Sequence, residues 1–250
     1  MLTWLELLKR KELVYLLELK NVDIAYDYLQ VVWGISLKIN EGEIVAMLGL
    51  NGAGKTTTLK TIAGLIKPKA GYIGFLGQEI TNTASHMILR KGLSFVPEER
   101  NLFTAMTVED NLRIGAYTIK NKARIKSNLE YVYALFPILA QRRKQLSGTM
   151  SGGERQMLAI ARGLMSNPKM IILDEPSMGL SPQNVLIVFE TVKKLKEEKV
   201  TTFIVEQNVN TTLLISDRAY IMEHGRIVLE GESEKIYKDD NVRKMYLGMG

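Results

Sequence analysis

The chain has 250 residues, 46% hydrophobic and 24% charged, the composition of a globular protein with a substantial core, which excludes a disordered tail. It has no cysteine, so a disulfide framework and a thiolate metal site are excluded, and its two histidines, His86 and His224, lie far apart and read as surface residues. The formal net charge is +6, but Lys and Arg are spread along the chain, with modest clusters only at 120–126 (KNKARIK) and 142–144 (RRK); solvated faces are expected, with a membrane-adjacent surface as the second reading and no nucleic-acid partner.

The opening, MLTWLELLKRKELVYLL, is apolar in two short blocks split by Lys9, Arg10, Lys11 and Glu12. Neither block reaches the roughly 20 residues a membrane span needs, and a signal peptide would carry its charge ahead of the apolar block. Residues 1–16 therefore read as an N-terminal extension of a cytoplasmic protein. Two alternating segments, 16–26 and 31–39, predict an antiparallel pair of strands. A compact buried strand follows at 43–49 (EIVAMLG), then a glycine-rich loop and a helix over about 55–66. Further strands are predicted at 71–77, 92–97, 170–174, 201–205, 218–223 and 226–231, in a βαβ pattern that implies a largely parallel sheet. Between about 105 and 167 the pattern is helical, with segments at 107–117, 124–139 and 152–165; in the last, Met157, Leu158, Ala161, Leu164 and Met165 share one helical face.

Residues 49–56, GLNGAGKT, match the G-x-x-x-x-G-K-[ST] phosphate loop, placed as its mechanism requires, after a buried strand and before a helix. The backbone of Gly49, Leu50, Asn51, Gly52, Ala53 and Gly54 can wrap closely around oxyanions, with successive N–H groups and the helix N-terminus aimed at them. Lys55 is expected to reach the β- and γ-phosphates of a nucleotide, Thr56 to hold Mg²⁺ through its hydroxyl, and Thr57 to join the loop in binding the phosphates.

The acidic pair in MIILDEPS, 170–177, follows an apolar strand and is stopped by Pro176. In a parallel sheet the carboxyl ends of the strands gather where ligands bind. Two adjacent acids there divide the work of phosphoryl transfer: Asp174 on the Mg²⁺ shell, Glu175 on a water in line with the γ-phosphate. Residues 150–156, MSGGERQ, carry Ser151 and Glu154 at capping-box spacing, but Gly152 and Gly153 are poor helix formers that leave first-turn N–H groups open to an anion.

With these motifs in place the chain resembles the ATP-binding-cassette (ABC) ATPases from about Leu17 to its end. FVPEERNLFTAMTVEDNL (95–112), the stretch from SGGERQ to SMGLSP (151–182), FIVEQN (203–208), GRIVLEG (225–231) and VRKMYLG (242–248) are most similar to the F-type ATP-binding subunit of branched-chain amino-acid importers. The resemblance implies an α/β fold: a P-loop NTPase (RecA-like) core with a mixed, largely parallel sheet, an N-terminal antiparallel β subdomain and a helical subdomain insert. The core is expected at 17–98 and 166–231, the helical subdomain at 99–165 and a C-terminal helical tail at 232–250.

The resemblance further implies a MgATP-hydrolysing subunit at the cytoplasmic face of the membrane. It would pair with a second ABC ATPase, alike or different, and dock on two membrane permeases served by an extracytoplasmic solute-binding protein. Each ATP would lie between the phosphate loop of one cassette and Ser151, Gly152, Gly153 and Glu154 of the other, with residues 177–182 touching the partner. Tyr26 sits where the family stacks an aromatic on adenine; Tyr28 in that role, or a plain core tyrosine, are the alternatives.

Two positions depart from the family pattern. Glu98 stands where most cassettes carry a glutamine that helps place Mg²⁺ and the attacking water; the F-type amino-acid group commonly has glutamate there and urea importers keep glutamine, so Glu98 favours amino acids. Gln207 aligns with the usual histidine at the γ-phosphate, and its amide can donate a hydrogen bond but cannot become a cation. Gln207 is thus expected to be catalytic with Glu175 in a modest ATPase, and Asn208 to cap the next helix. Two other classes are set against this reading. A soluble cassette ATPase of DNA repair or translation usually needs a long insertion or two cassettes, and a binding-only regulatory subunit does not fit intact Lys55 and Glu175.

Overall fold

The computed structural model describes residues 15–239 and Val242; the extension through residue 14 and the rest of the C-terminal tail lie outside the described residues. Strand β1 (Leu17–Tyr26) buries Leu17, Leu19, Val22 and Ile24. The odd-to-even switch in that set is made by a register shift between Leu19 and Val22, where Asn21 turns left-handed (φ 47°) and returns the apolar residues to one face. β1 pairs antiparallel with β2 (Leu29–Ile39), as the alternation predicts.

Strand β3 (Ile44–Leu48) is wholly buried, and α1 (Lys55–Ile62) follows the glycine-rich loop. The helix is shorter than the predicted 55–66, because the Leu65 N–H returns to the Lys60 carbonyl (2.9 Å) and closes it. Next come β4 (Ala70–Phe75), the two-residue β5 (Gln78–Glu79), α2 (Ser85–Arg90) and β6 (Leu93–Val96); β5 and α2 were not predicted.

From β6 to the next strand the chain is helical: α3 (Val108–Gly115), α4 (Lys122–Leu135), α5 (Pro137–Gln141) and α6 (Gly152–Leu164). The helix predicted over 124–139 is in fact two helices. Pro137 cannot donate a backbone hydrogen bond and pushes Phe136 out of helical geometry (φ −128°, ψ 77°). The last third comprises β7 (Met170–Asp174), α7 (Pro182–Glu197), β8 (Thr201–Glu206), α8 (Val209–Leu213), β9 (Arg218–Glu223), β10 (Arg226–Glu232) and α9 (Ser233–Lys238).

Two sheets result. One is antiparallel, in the order β2-β1-β4-β5; the other runs β10-β9-β3-β8-β7-β6, parallel from β9 to β6 with β10 added antiparallel. The larger sheet is covered on both faces: Ile44, Ala46 and Leu48 of β3 enter a core shared with α3, α6 and α7, while Val45 and Met47 enter a second core under the antiparallel sheet and α1. Side chains such as Phe203, wholly buried, contribute about 1.5–3 kcal/mol each. The register sets Leu48 beside Glu206 and Asp174 beside Val205, so the carboxyl ends of β3, β8 and β7 form one ledge.

Candidate functional site

The loop from β3 to α1 lies on that ledge. Gly54, at the N-cap of α1, has φ 102°, and an added Cβ would stand 3.0 Å from Met222 Cε and 3.1 Å from Val32 Cγ2. Only glycine fits both the dihedral and the space. The Lys55 ammonium is buried; it donates to the carbonyls of Gly49 (2.8 Å) and Leu50 (3.1 Å) and stands 3.7 Å from Glu175 Oε1. A buried lysine so placed holds its charge directly over the loop.

Thr56 Oγ1 donates to Asp174 Oδ1 at 3.0 Å, while the other oxygen, Asp174 Oδ2, is buried without a hydrogen-bond partner. Asp174 is 1% exposed, and burial pushes its carboxyl up to about 6, against the hydrogen bond from Thr56. An orphaned carboxylate oxygen beside a hydroxyl is the donor chemistry of a hard cation, and it fits Mg²⁺, which takes one or two carboxylates and fills its shell with phosphate oxygens and water. Among the described residues no cluster of three or more His, Asp or Glu is gathered as an all-protein metal cage.

Removing that buried charge is expected to stabilise the nucleotide-free chain. Asp174→Asn keeps the contact with Thr56 and should melt a few degrees above wild type at neutral pH, at about 2–4 °C per kcal/mol. The folded-state pKa is raised, so the wild-type stability is fully present below the unfolded value near 4 and is lost as pH rises through about 6. The advantage of the asparagine chain therefore vanishes near pH 4, and a constant difference between the two melting curves from pH 4 to 8 would refute the assignment.

Glu175 takes a left-handed backbone (φ 46°), which costs about 1–3 kcal/mol in a non-glycine residue and is sustained only by surrounding contacts. Its N–H donates to Val205 O (2.9 Å), and Gln207 Nε2 donates to its Oε2 at 2.5 Å. A cavity of about 320 Å³ opens above, lined by Val31, Asn51, Gly52, Gly54, Lys55, Thr56, Thr57, Glu98, Glu175, Met178 and Gln207. Residues expected to act together from separate motifs thus share one wall. Tyr26 stands at the rim, its hydroxyl 3.4 Å from Thr57 Oγ1, whereas Tyr28 is fully exposed. Both histidines are exposed.

Ser151, Gly152, Gly153 and Glu154 do not line this cavity. They open α6 with a complete capping box, Glu154 N–H to Ser151 Oγ (3.3 Å) and Ser151 N–H to Glu154 Oε2 (2.9 Å), and Arg142 braces Glu154 at 2.9 Å. An added Cβ at Gly153 would fall 2.1 Å from Asn184 Nδ2, and that side-chain amide would have to swing aside; at Gly152 the space is open. Asn208 caps α8, accepting from Thr211 N–H at 3.2 Å.

Other contributors were not singled out from the sequence. Arg100 Nε donates to Gln156 Oε1 (2.6 Å) and Arg162 donates to the carbonyls of Arg100 and Asn101 (both 2.7 Å), tying the segment after Glu98 to α6. Glu206, buried at the end of β8, accepts from Ser177 N–H at 2.9 Å. Its signal was available: a charge directly after an apolar strand, the same pattern that drew attention to Asp174.

Residues 32–178 match the family model described as ABC transporter. A high-affinity branched-chain amino acid transport ATP-binding protein of Pseudomonas aeruginosa, BraG, is 42% identical over 233 residues, 93% of this chain and 100% of that protein. The lipopolysaccharide export system ATP-binding protein LptB of Escherichia coli K12 is 34% identical, over 92% of this chain and 95% of that protein. Among solved structures, the ADP conformation of an ATP-binding cassette of an ABC transporter superposes with a TM-score of 0.81 at 27% identity, covering 94% of this chain and 99% of that one.

Proposed function

This chain belongs to the ABC transporter family as an ATP-binding, ATP-hydrolysing subunit, and on that premise we propose that it powers the import of branched-chain amino acids. The observation that carries the solute class is the 42% identity to a branched-chain amino acid transport ATP-binding protein over that protein's whole length. A second relative, the probable branched-chain amino acid transport ATP-binding protein LivF of Archaeoglobus fulgidus, is 36% identical, above the 34% of the export-system protein.

In this reading the N–H groups of the loop 49–57 and the ammonium of Lys55 hold the phosphates, and Tyr26 at the rim faces the adenine. Thr56 and Asp174 would hold Mg²⁺, with Glu98 on the same wall as Thr56. Bound there, Mg²⁺ supplies charge neutralisation at the β- and γ-phosphate oxygens. Glu175 takes the proton of the attacking water, and Gln207 fixes that carboxylate from one side. Ser151, Gly152 and Gly153 lie outside the chain's own cavity, which supports their service to a second cassette closing face to face.

Another cavity, of about 350 Å³, is lined by residues of α2, β6, α3 and α6 and carries the half-exposed rings of Phe103 and Tyr117. Exposed aromatics around a concavity suit a partner, and a permease is the partner proposed. No helix among the described residues is long and apolar enough to cross a membrane, so the permeases would hold the chain at the cytoplasmic face and an external binding protein would bring the solute. Affinity capture of the tagged chain from solubilised membranes should recover two permeases and a second ATPase; capture of lipopolysaccharide-export components instead would move the reading to export.

Gln207 makes a further expectation. Its amide does not titrate near neutrality, whereas a histidine there would, with an ordinary value near 6.5. Gln207→His should therefore add an inflection between about pH 6 and 7 to the profile of hydrolysis. Superimposable profiles would remove Gln207 from the reacting groups.

A further inference from the structure

Every residue of β8, TTFIVE, is buried, and the last of them is Glu206, 2% exposed. Alternation puts Ile204 in the core beneath α6 and α7 and Val205 in the opposite core, so Glu206 points to the side away from Gln207. A carboxylate in such a place is costly unless hydrogen-bonded, and packing alone would be served by an apolar residue. Burial raises its carboxyl above the usual range, and hydrogen bonds from Ser177 and the Gln207 backbone work against that rise. The chemistry assigned above gives this group no task.

One of its two oxygens, Oε1, accepts from Ser177 N–H at 2.9 Å. Read with its neighbours, that bond is the middle of three. Val205 O accepts from Glu175 N–H at 2.9 Å, Glu206 Oε1 holds Ser177, and Gln207 Nε2 donates to Glu175 Oε2 at 2.5 Å. Three consecutive residues at the end of β8 thereby grip the turn that follows β7 from both faces of the sheet. That turn contains the left-handed Glu175 and continues through Met178, which lines the cavity, to Ser181 at the start of α7.

We infer that Glu206 is a positioning residue of the hydrolytic site: by reach rather than by charge, it fixes the turn that presents both the Glu175 carboxylate and the loop 177–182. The inference rests on the reading of Glu175 as the group that accepts the proton of water. Displacing a reacting group by about 1 Å can cost on the order of a hundredfold in rate, and Glu206 is the only carboxylate among the described residues bonded to that turn's backbone.

Two conservative variants separate reach from charge. Glu206→Gln keeps an acceptor oxygen at the same distance and removes the charge; Glu206→Asp keeps the charge and withdraws it by one carbon–carbon bond, about 1.5 Å. MgATP hydrolysis by the full chain should fall at least about tenfold in kcat for Glu206→Asp and stay within about threefold of wild type for Glu206→Gln, with KM for MgATP within about twofold in both. An unaltered Glu206→Asp, a Glu206→Gln loss equal to or larger than that of Glu206→Asp, or a KM that rises as kcat falls would each overturn the inference. Wild type hydrolysing no faster than Lys55→Ala would remove the underlying reading of the site; a normal Lys55 deficit beside an active Glu206→Asp removes this inference alone.

Discussion

Replacing Lys55 by alanine is expected to lower kcat/KM for MgATP at least a hundredfold, on the scale of about 2.7–4 kcal/mol for loss of one preorganised electrostatic donor. The side chain is 4% exposed and held between the Gly49 and Leu50 carbonyls and Glu175, so its charge is already in place when phosphate arrives. Within that enclosure a cation is worth far more than in water. The same substitution leaves Glu175 without its nearest cation, and a lowered melting temperature should accompany the loss of activity. Phosphate release at MgATP concentrations well below KM reads the first effect, and equal rates in the two proteins would withdraw the role given to Lys55.

Glu175→Gln is expected to separate binding from turnover. The amide keeps the size of the side chain and the phosphate loop is untouched, so ATP should bind; the proton acceptor is gone, and hydrolysis should drop about 10²–10⁴-fold. Because Ser151, Gly152 and Gly153 stand away from the chain's own cavity, a second cassette is proposed to complete each site, and ATP that is not hydrolysed should hold the pair closed. Light scattering of this variant at saturating ATP should show a dimer that dissociates when ATP is withdrawn. A monomer under those conditions, for the chain alone and with its partner ATPase, would count against the shared site.

Much of this site is legible in the sequence because its parts are local. A glycine-rich loop between a buried strand and a helix, an acidic pair at a strand end and a capped helix start each lie within a few residues, and the parallel pattern brings their strand ends to one ledge. The Asn208 cap followed from residue type and its place before an apolar segment, and the Ser151–Glu154 box from spacing. The break at Phe136–Pro137 was also written in the sequence, in a proline that outweighs the apolar period around it. What was not legible depends on contacts between distant segments. The donation from Gln207 to Glu175 spans 32 positions and the hold of Glu206 on Ser177 spans 29, and both arise only when β7 and β8 lie side by side. Arg100 and Arg162 gave no period or motif, since each serves backbone carbonyls or a single amide on a neighbouring element.

The central claim, that this ATPase powers import of branched-chain amino acids, is met most directly by uptake of labelled leucine into cells of the source organism. Uptake is to be compared in cells lacking the chain and in the same cells given back wild type or Lys55→Ala. High-affinity uptake is predicted to be lost with the chain, restored by wild type and not restored by Lys55→Ala. Uptake that is the same with and without the chain, or that Lys55→Ala restores in full, would contradict it.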